Sequence, residues 1–187
     1  QSHKSSGYFH KYSKSRLSSS SISTSFIFPT GLKFSKLDLE FDLEGEQSEC
    51  NIQSASFLGD NEHQEVKTRV NHFYPNCRSY QKVKNVLNFK SKGVYQGKIF
   101  VKDVAQKTDA YQLSKAILLN ESSEFNSKPE LEIYADDVKC SHGSASGSLN
   151  DNSIFYLMSR GLSYQQSREL LINGFLLDVV EKITDSE

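Results

Sequence analysis

The sequence predicts a mainly β fold closed by a small helical hairpin. Apolar and polar residues alternate at period two through much of the chain up to about residue 147, turn chemistry recurs at short intervals between these runs, and after Gly147 the apolar period becomes helical. With 187 residues, 36% hydrophobic and 11% aromatic, the chain is long enough to bury a core without disulfides or a structural metal.

The elements follow in order. Residues 1–25 are Ser-rich with scattered Lys and Arg, which suits either a loose segment or thin polar strands. Leu37, Leu39, Phe41 and Leu43 then alternate with Asp38, Glu40, Asp42 and Glu44 until Gly45 breaks the run, the pattern of a half-buried strand. Further strands are expected over 66–72, 94–101 and 131–135. Turns are expected at Gly59-Asp60-Asn61, Lys92-Gly93, Gln96-Gly97 and Ser127-Lys128-Pro129. No repeat of fixed length aligns, so patterning leaves a sandwich, a barrel and a solenoid all open.

Beyond Gly147, Asn150 to Ser153 supply helix-start residues, Ile154, Leu157 and Met158 share a helical face, and Gly161 is placed to end that helix. Ser163 and Gln166 form a capping box for a second helix whose stripe runs through Leu171, Ile172, Phe175, Leu176, Val179, Val180 and Ile183. The organisation is therefore a β core over 1–147 and a C-terminal helical domain over 148–187. The hairpin is expected either to lie as a lid over the open end of the β section or to serve as a docking surface.

Composition excludes several function classes. With 22 Lys and Arg against 23 Asp and Glu, the formal net charge of -1 gives no footprint for nucleic acid. The apolar runs are too short to cross a bilayer, so no membrane role is expected. Cys50, Cys77 and Cys140 are odd in number and contain no C-x-x-C, which argues against a disulfide framework or zinc knuckle and favours a reducing compartment. The chain opens on Gln1 in what reads as mid-domain sequence, the expectation for a C-terminal fragment.

The densest reactive cluster is Asp136-Asp137-Val138-Lys139-Cys140-Ser141-His142-Gly143. In an extended segment Val138, Cys140 and His142 share one face, with thiol and imidazole roughly 6 to 7 Å apart. That pair suits iron or an iron-sulfur species, a Cys nucleophile with a His base, or plain packing. His72 and Cys77 flank Pro75 and read as structural. Gly143-Ser144-Ala145-Ser146-Gly147 has Ala where the G-x-S-x-G elbow needs Ser, and reads as a tight exit from the last strand into the first helix. No phosphate-cradling G-x-x-x-x-G-K-[ST] loop is present, so no ATP site is expected in this chain. Tyr156, Arg160, Tyr164 and Arg168 offer the aromatic and guanidinium groups enriched at interface hot spots.

The stretch Lys128 to Gly143, followed by Phe155-Tyr156-Leu157-Met158-Ser159-Arg160-Gly161, closely resembles the C-terminal signature of the SufB/SufD family of iron-sulfur cluster assembly proteins. Gly93 to Ile99 and Ala105 to Gln112 add to the resemblance, which runs from about residue 26 to 180. The Lys-Cys-Ser-His-Gly form at 139–143 is that of SufD, where SufB typically carries a His-Glu pair. Ser144-Ala145-Ser146 departs from the family's commoner Ala-Thr-Val.

The resemblance implies a right-handed parallel β-helix closed by a C-terminal helical domain. It also implies a scaffold subunit rather than an enzyme, paired with a SufB-like paralogue and docked to a SufC-like ABC ATPase that supplies the ATPase activity. The complex would hold a transient iron-sulfur cluster shared with SufB, in bacterial cytoplasm or an organelle equivalent. His142 matches the SufD histidine implicated in cluster formation at the SufB interface, and Cys140 is its motif neighbour. The competing classes are a β-solenoid carbohydrate-active enzyme, which would need clustered carboxylates such as Asp38, Glu40, Asp42 and Glu44, and a purely structural partner subunit that binds no iron.

Overall fold

The computed structural model describes residues 5–181. Along the chain come β1 (Ser5–Leu17), β2 (Ile22–Ile27), β3 (Leu32–Leu43), β4 (Glu49–Leu58), β5 (His63–His72), β6 (Arg78–Leu87), β7 (Lys92–Val101), β8 (Asp109–Leu118), β9 (Glu124–Ile133) and β10 (Lys139–Gly147), then α1 (Asp151–Ser159) and α2 (Tyr164–Val180). Every strand pairs in parallel with the strand two places along, which gives sheet A in the order β1-β3-β5-β7-β9 and sheet B in the order β10-β8-β6-β4-β2. Two strands make one rung, and five rungs stack into a parallel β-solenoid. The Ser-rich leader from Ser5 onward is strand, not a loose segment.

The rungs are unequal, which is why no repeat shows in the sequence. Register partners Phe34, His63, Lys92 and Glu124 in sheet A are 29, 29 and 32 residues apart. Glu49, Arg78, Asp109 and Lys139 in sheet B are 29, 31 and 30 apart. One corner is built on a column of left-handed residues, Ser20, Gln47, Asn76 and Lys107, with φ of 59°, 59°, 61° and 59°. Left-handed backbone at a non-glycine residue costs about 1 kcal/mol each, and hydrogen bonds between successive corners offset it, such as Asn76 N–H donating to Gln106 O at 2.9 Å.

Between the sheets lies a lumen filled by apolar side chains such as Leu43, Ile52, Val70, Val83 and Ile99, all fully buried. A polar cluster is set among them. Thr68 donates to Gln81 Oε1 at 2.5 Å, the Tyr95 hydroxyl reaches Gln81 Oε1 at 3.3 Å and Gln112 Oε1 at 3.2 Å, and Gln112 Nε2 donates to Glu130 O at 3.3 Å.

Three expected turns are strand instead. Gly97 lies inside β7, and a Cβ there would collide with Gln112 Oε1 and the Tyr95 hydroxyl, so the glycine marks a close approach across the lumen. Lys92-Gly93 is likewise strand. Ser127-Lys128-Pro129 also falls within β9, where Pro129 pairs with Gly97. β9 is an edge strand, and there a missing N–H can be tolerated.

The helices begin as the sequence predicts. Asn150 caps α1 by accepting from Ser153 N–H, Gly161 follows it at φ 96°, and Ser163 with Gln166 forms the capping box of α2. Their position differs from a lid. α2 packs on β4 and β6 in the middle of sheet B, not over the last rung. Lys84 Nζ donates to Phe175 O at 2.7 Å, pairs with Asp178 Oδ1 at 2.6 Å and lies 4.6 Å from the Phe175 ring centroid; Lys82 Nζ reaches Asp178 Oδ2 at 3.2 Å. Only Ser167 and Val179 of α2 are fully buried, so the apolar stripe is partly covered, and Ile183 lies outside the described residues.

Candidate functional site

The open end of the last rung presents β9 and β10 as edges, each hydrogen-bonded to a strand on one side only. The Gly143 to Gly147 stretch is not an exit turn; β10 runs through it. Cys140 pairs with Ala110, and His142 with Gln112, both of which are buried and face the lumen. By strand periodicity Cys140 and His142 therefore continue two lumen columns into the last rung, on one face as the spacing predicts. Val138 and Cys140 pack against the cluster of Ile99, Val101, Ala110 and Ala135.

The two side chains differ in environment. Cys140 is half-buried, and burial pushes its thiol above the ordinary value, offset in part by a hydrogen bond from the Ala110 backbone, so the thiol stays protonated at neutral pH. His142 is exposed, and no hydrogen bond or ion pair among the described residues holds its ring. Beside it Ser114 Oγ contacts Ser127 Oγ at 2.7 Å and Ser144 Oγ at 3.1 Å, which ties β8, β9 and β10 together two residues from His142.

No group of three or more His, Cys, Asp or Glu among the described residues could hold a metal ion. What this chain offers at the open end is two donors, a thiol and an imidazole.

The other candidates separate cleanly. His72 is buried with Nε2 on Ser79 Oγ at 2.9 Å, and burial drives its pKa down to about 4. Cys77 is buried against Gly45 O at 3.2 Å and Ser48 Oγ at 3.3 Å; the burial of Cys50 pushes its thiol up to about 12. All three are enclosed within the solenoid. The carboxylates of β3 are not a freely solvated face: Asp38 meets His10 at 2.8 Å, Lys14 bridges Glu40 at 3.0 Å and Asp42 at 2.8 Å, and Arg16 reaches Glu44 at 3.6 Å.

On the hairpin, Arg160 lies 5.2 Å from the Tyr156 ring and Arg168 lies 5.6 Å from that of Tyr164, two cation–π pairs on an exposed surface. Sequence reasoning missed Lys82, Lys84 and Asp178, which join the hairpin to sheet B across 96 residues of chain and leave no local signal. It also missed Gln112 and Ser114, although Ala110, Gln112, Ser114 and Ala116 alternate as a strand should.

Comparison with known proteins bears directly on this arrangement. The family model described as "SUF system FeS cluster assembly, SufBD core domain" matches residues 1–175. The chain belongs to the SufB/SufD family. Within the SufB/SufD family it is of the SufD type, being 38% identical over 143 residues to the iron-sulfur cluster assembly protein SufD of Escherichia coli, a match covering 76% of this chain and 34% of that protein.

It is also similar to a SufBD family protein of Synechocystis, at 31% over 82% of this chain and 34% of the relative, and to the chloroplastic protein ABCI7 of Arabidopsis thaliana, at 39% over 54% of this chain and 22% of the relative. The chain thus spans about a third of the length of the SufD and Synechocystis relatives. The family is one of iron-sulfur cluster assembly, and the match runs through β10 and the open end. No helix among the described residues is long and apolar enough to cross a membrane.

Proposed function

We propose that this chain is the SufD-like subunit of a SufBCD-type scaffold, with the iron-sulfur cluster as its cargo. A SufB-like paralogue pairs with the open edges of β9 and β10, a SufC-like ATPase docks on the hairpin at Tyr156, Arg160, Tyr164 and Arg168, and the cluster grows at the seam beside His142. The observation that carries this reading is that His142 stands exposed at the end of a lumen column, on a strand whose outer edge has no strand partner among the described residues. Unpaired strand edges are templates for another chain, and an imidazole there can complete a mixed Cys/His ligand set across two chains.

In this reading His142 binds iron through a ring nitrogen. Cys140, protonated and half-buried, stands by as a second donor that needs deprotonation before it can ligate. Residues 1–147 act as the scaffold and residues 148–187 as the unit that receives the ATPase.

The connection between the two ends is continuous. α2 is fastened to β6 through Lys82 and Lys84, β6 is hydrogen-bonded to β8, and β8 to β10. ATP-driven closure in the SufC-like partner would pull on α2 and reach the seam through two strands.

The test is co-purification with SufB and SufC partners, with iron and acid-labile sulfide assayed after anaerobic reconstitution. His142→Ala is expected to leave the complex intact and lower iron and sulfide severalfold. An intact complex with unchanged iron reduces the chain to a structural subunit, and absence of any complex removes the proposal.

A further inference from the structure

Among the described residues, the rung end and the hairpin leave one large face of the solenoid uncovered, the outer face of sheet A, on the opposite side from α2. Register arranges its side chains in rows across the strands: Lys67, Gln96 and Lys128 in one, Arg69, Lys98 and Glu130 in the next. Most cations of this face are committed within it. Lys14 holds Glu40 and Asp42, Lys36 meets Glu65 at 3.3 Å, Lys98 meets Glu132 at 2.5 Å and Lys128 meets Glu130 at 2.8 Å.

Lys67 and Arg69 are different. Both are exposed on β5, and neither has an ion pair among the described residues. They stand roughly 7 Å apart along the strand and line a depression of ≈ 310 Å³ together with Lys98, Lys128 and one carboxylate, Glu130. Beside it runs an aromatic ridge, Phe73, Phe100 and Tyr134, with ring centroids 6.0 and 5.9 Å apart and Tyr134 61% exposed at its end.

We propose that this face is a docking surface for an acidic, extended protein segment that carries an aromatic residue. Lys67 and Arg69, without an ion pair among the described residues, set the charge of the occupant, and Arg and Tyr are both enriched at interface hot spots. The depression is too open for a small anion, since small-ligand sites enclose most of their ligand. Glu65, Glu130 and Glu132 lie among the cations and repel a uniformly charged phosphate backbone, whereas a peptide places carboxylates only where it meets Lys67 and Arg69. Its aromatic residue stacks on the ridge. This inference is independent of what pairs with β10.

The experiment is fluorescence anisotropy of the full chain with a fluorescein-labelled peptide alternating Glu and Ser around one central Phe. Binding is expected to weaken as salt rises. Lys67→Gln combined with Arg69→Gln is expected to weaken it about tenfold or more, and Tyr134→Ala about threefold or more, by the loss of interface anchors. Lys115→Gln on the outer face of sheet B should change nothing, and melting curves should be unaltered because all four positions are solvent-facing. Equal binding by the double variant overturns the proposal. So does competition by citrate or duplex DNA as effective as unlabelled peptide at equal charge, which would mean non-specific attraction only.

Discussion

The outer faces of the two sheets are finished in different ways. Sheet B is covered: α2 lies on β4 and β6, Lys84 is 7% exposed, and Gln53 and Ala55 are buried beneath the helix. Among the described residues no helix covers sheet A, whose outer face carries rows of ion pairs such as Lys14 with Glu40 and Asp42. Beneath both faces is one lumen, which Tyr95 of sheet A shares with Gln81 and Gln112 of sheet B. The difference teaches that the solenoid is held from inside, while its outer faces are free to specialise, one for a helix and the other for solvent or a partner.

The largest effect should come from breaking what the sheets share. Gly97→Val belongs to sheet A, yet its side chain would strike Gln112 of sheet B. A destabilisation of about 3 kcal/mol or more is expected from overpacking, read as a fall in melting temperature of about 6 to 12 °C. Hydrogen exchange should speed in both β7 and β8. A loss confined to β7 would show that the sheets are independent.

His72 gives the next test, because it also spans the lumen by bonding Ser79 of sheet B. Its pKa falls from 6.5 to about 4 on folding. Between those values the unfolded chain binds a proton that the folded chain refuses, so stability present above about pH 6.5 is lost as pH drops towards 4. The shift corresponds to about 3 kcal/mol. His72→Gln should flatten that part of the stability profile in urea melts; a slope equal to that of the native chain would place the titrating group elsewhere.

The smallest effect contrasts the outer faces themselves. Lys84→Met removes the anchor of α2 and should cost about 2 kcal/mol, the range for a buried charged hydrogen bond, with α2 losing exchange protection. Lys128→Gln on sheet A, whose pair with Glu130 is solvated, should shift the melt by only a fraction of that. Equal shifts would mean that α2 does not depend on its polar anchor.

The same contrast explains what was legible in the sequence. Strands of sheet A have one wet and one dry face, so β3 and β7 alternate visibly. β4 and β6 are buried on both sides, β4 without a break from Ile52 to Ala55 and on to Ser56, and their inward Ser, Gln and Asn residues dilute the apolar signal. The two helices were legible because caps and period are local. Cys140 and His142 were placed on one face by strand period alone. What no pattern could show was that their strand ends the stack, because that depends on pairing between residues about thirty positions apart.

The amides inside the lumen have a further consequence. A purely aliphatic lumen would accept β6 sliding two residues along β8, since the same faces would still point inward. Such a slip would set Gln81 beside Ala110 or Ser114 rather than Gln112, and the single Tyr95 hydroxyl could no longer touch both amides. Amide groups enclosed among hydrocarbon are costly without partners, so each wrong alignment is penalised. The polar cluster works as a ratchet tooth for assembly, admitting one alignment of successive turns and fixing where along the rung the final strand, with His142, comes to rest.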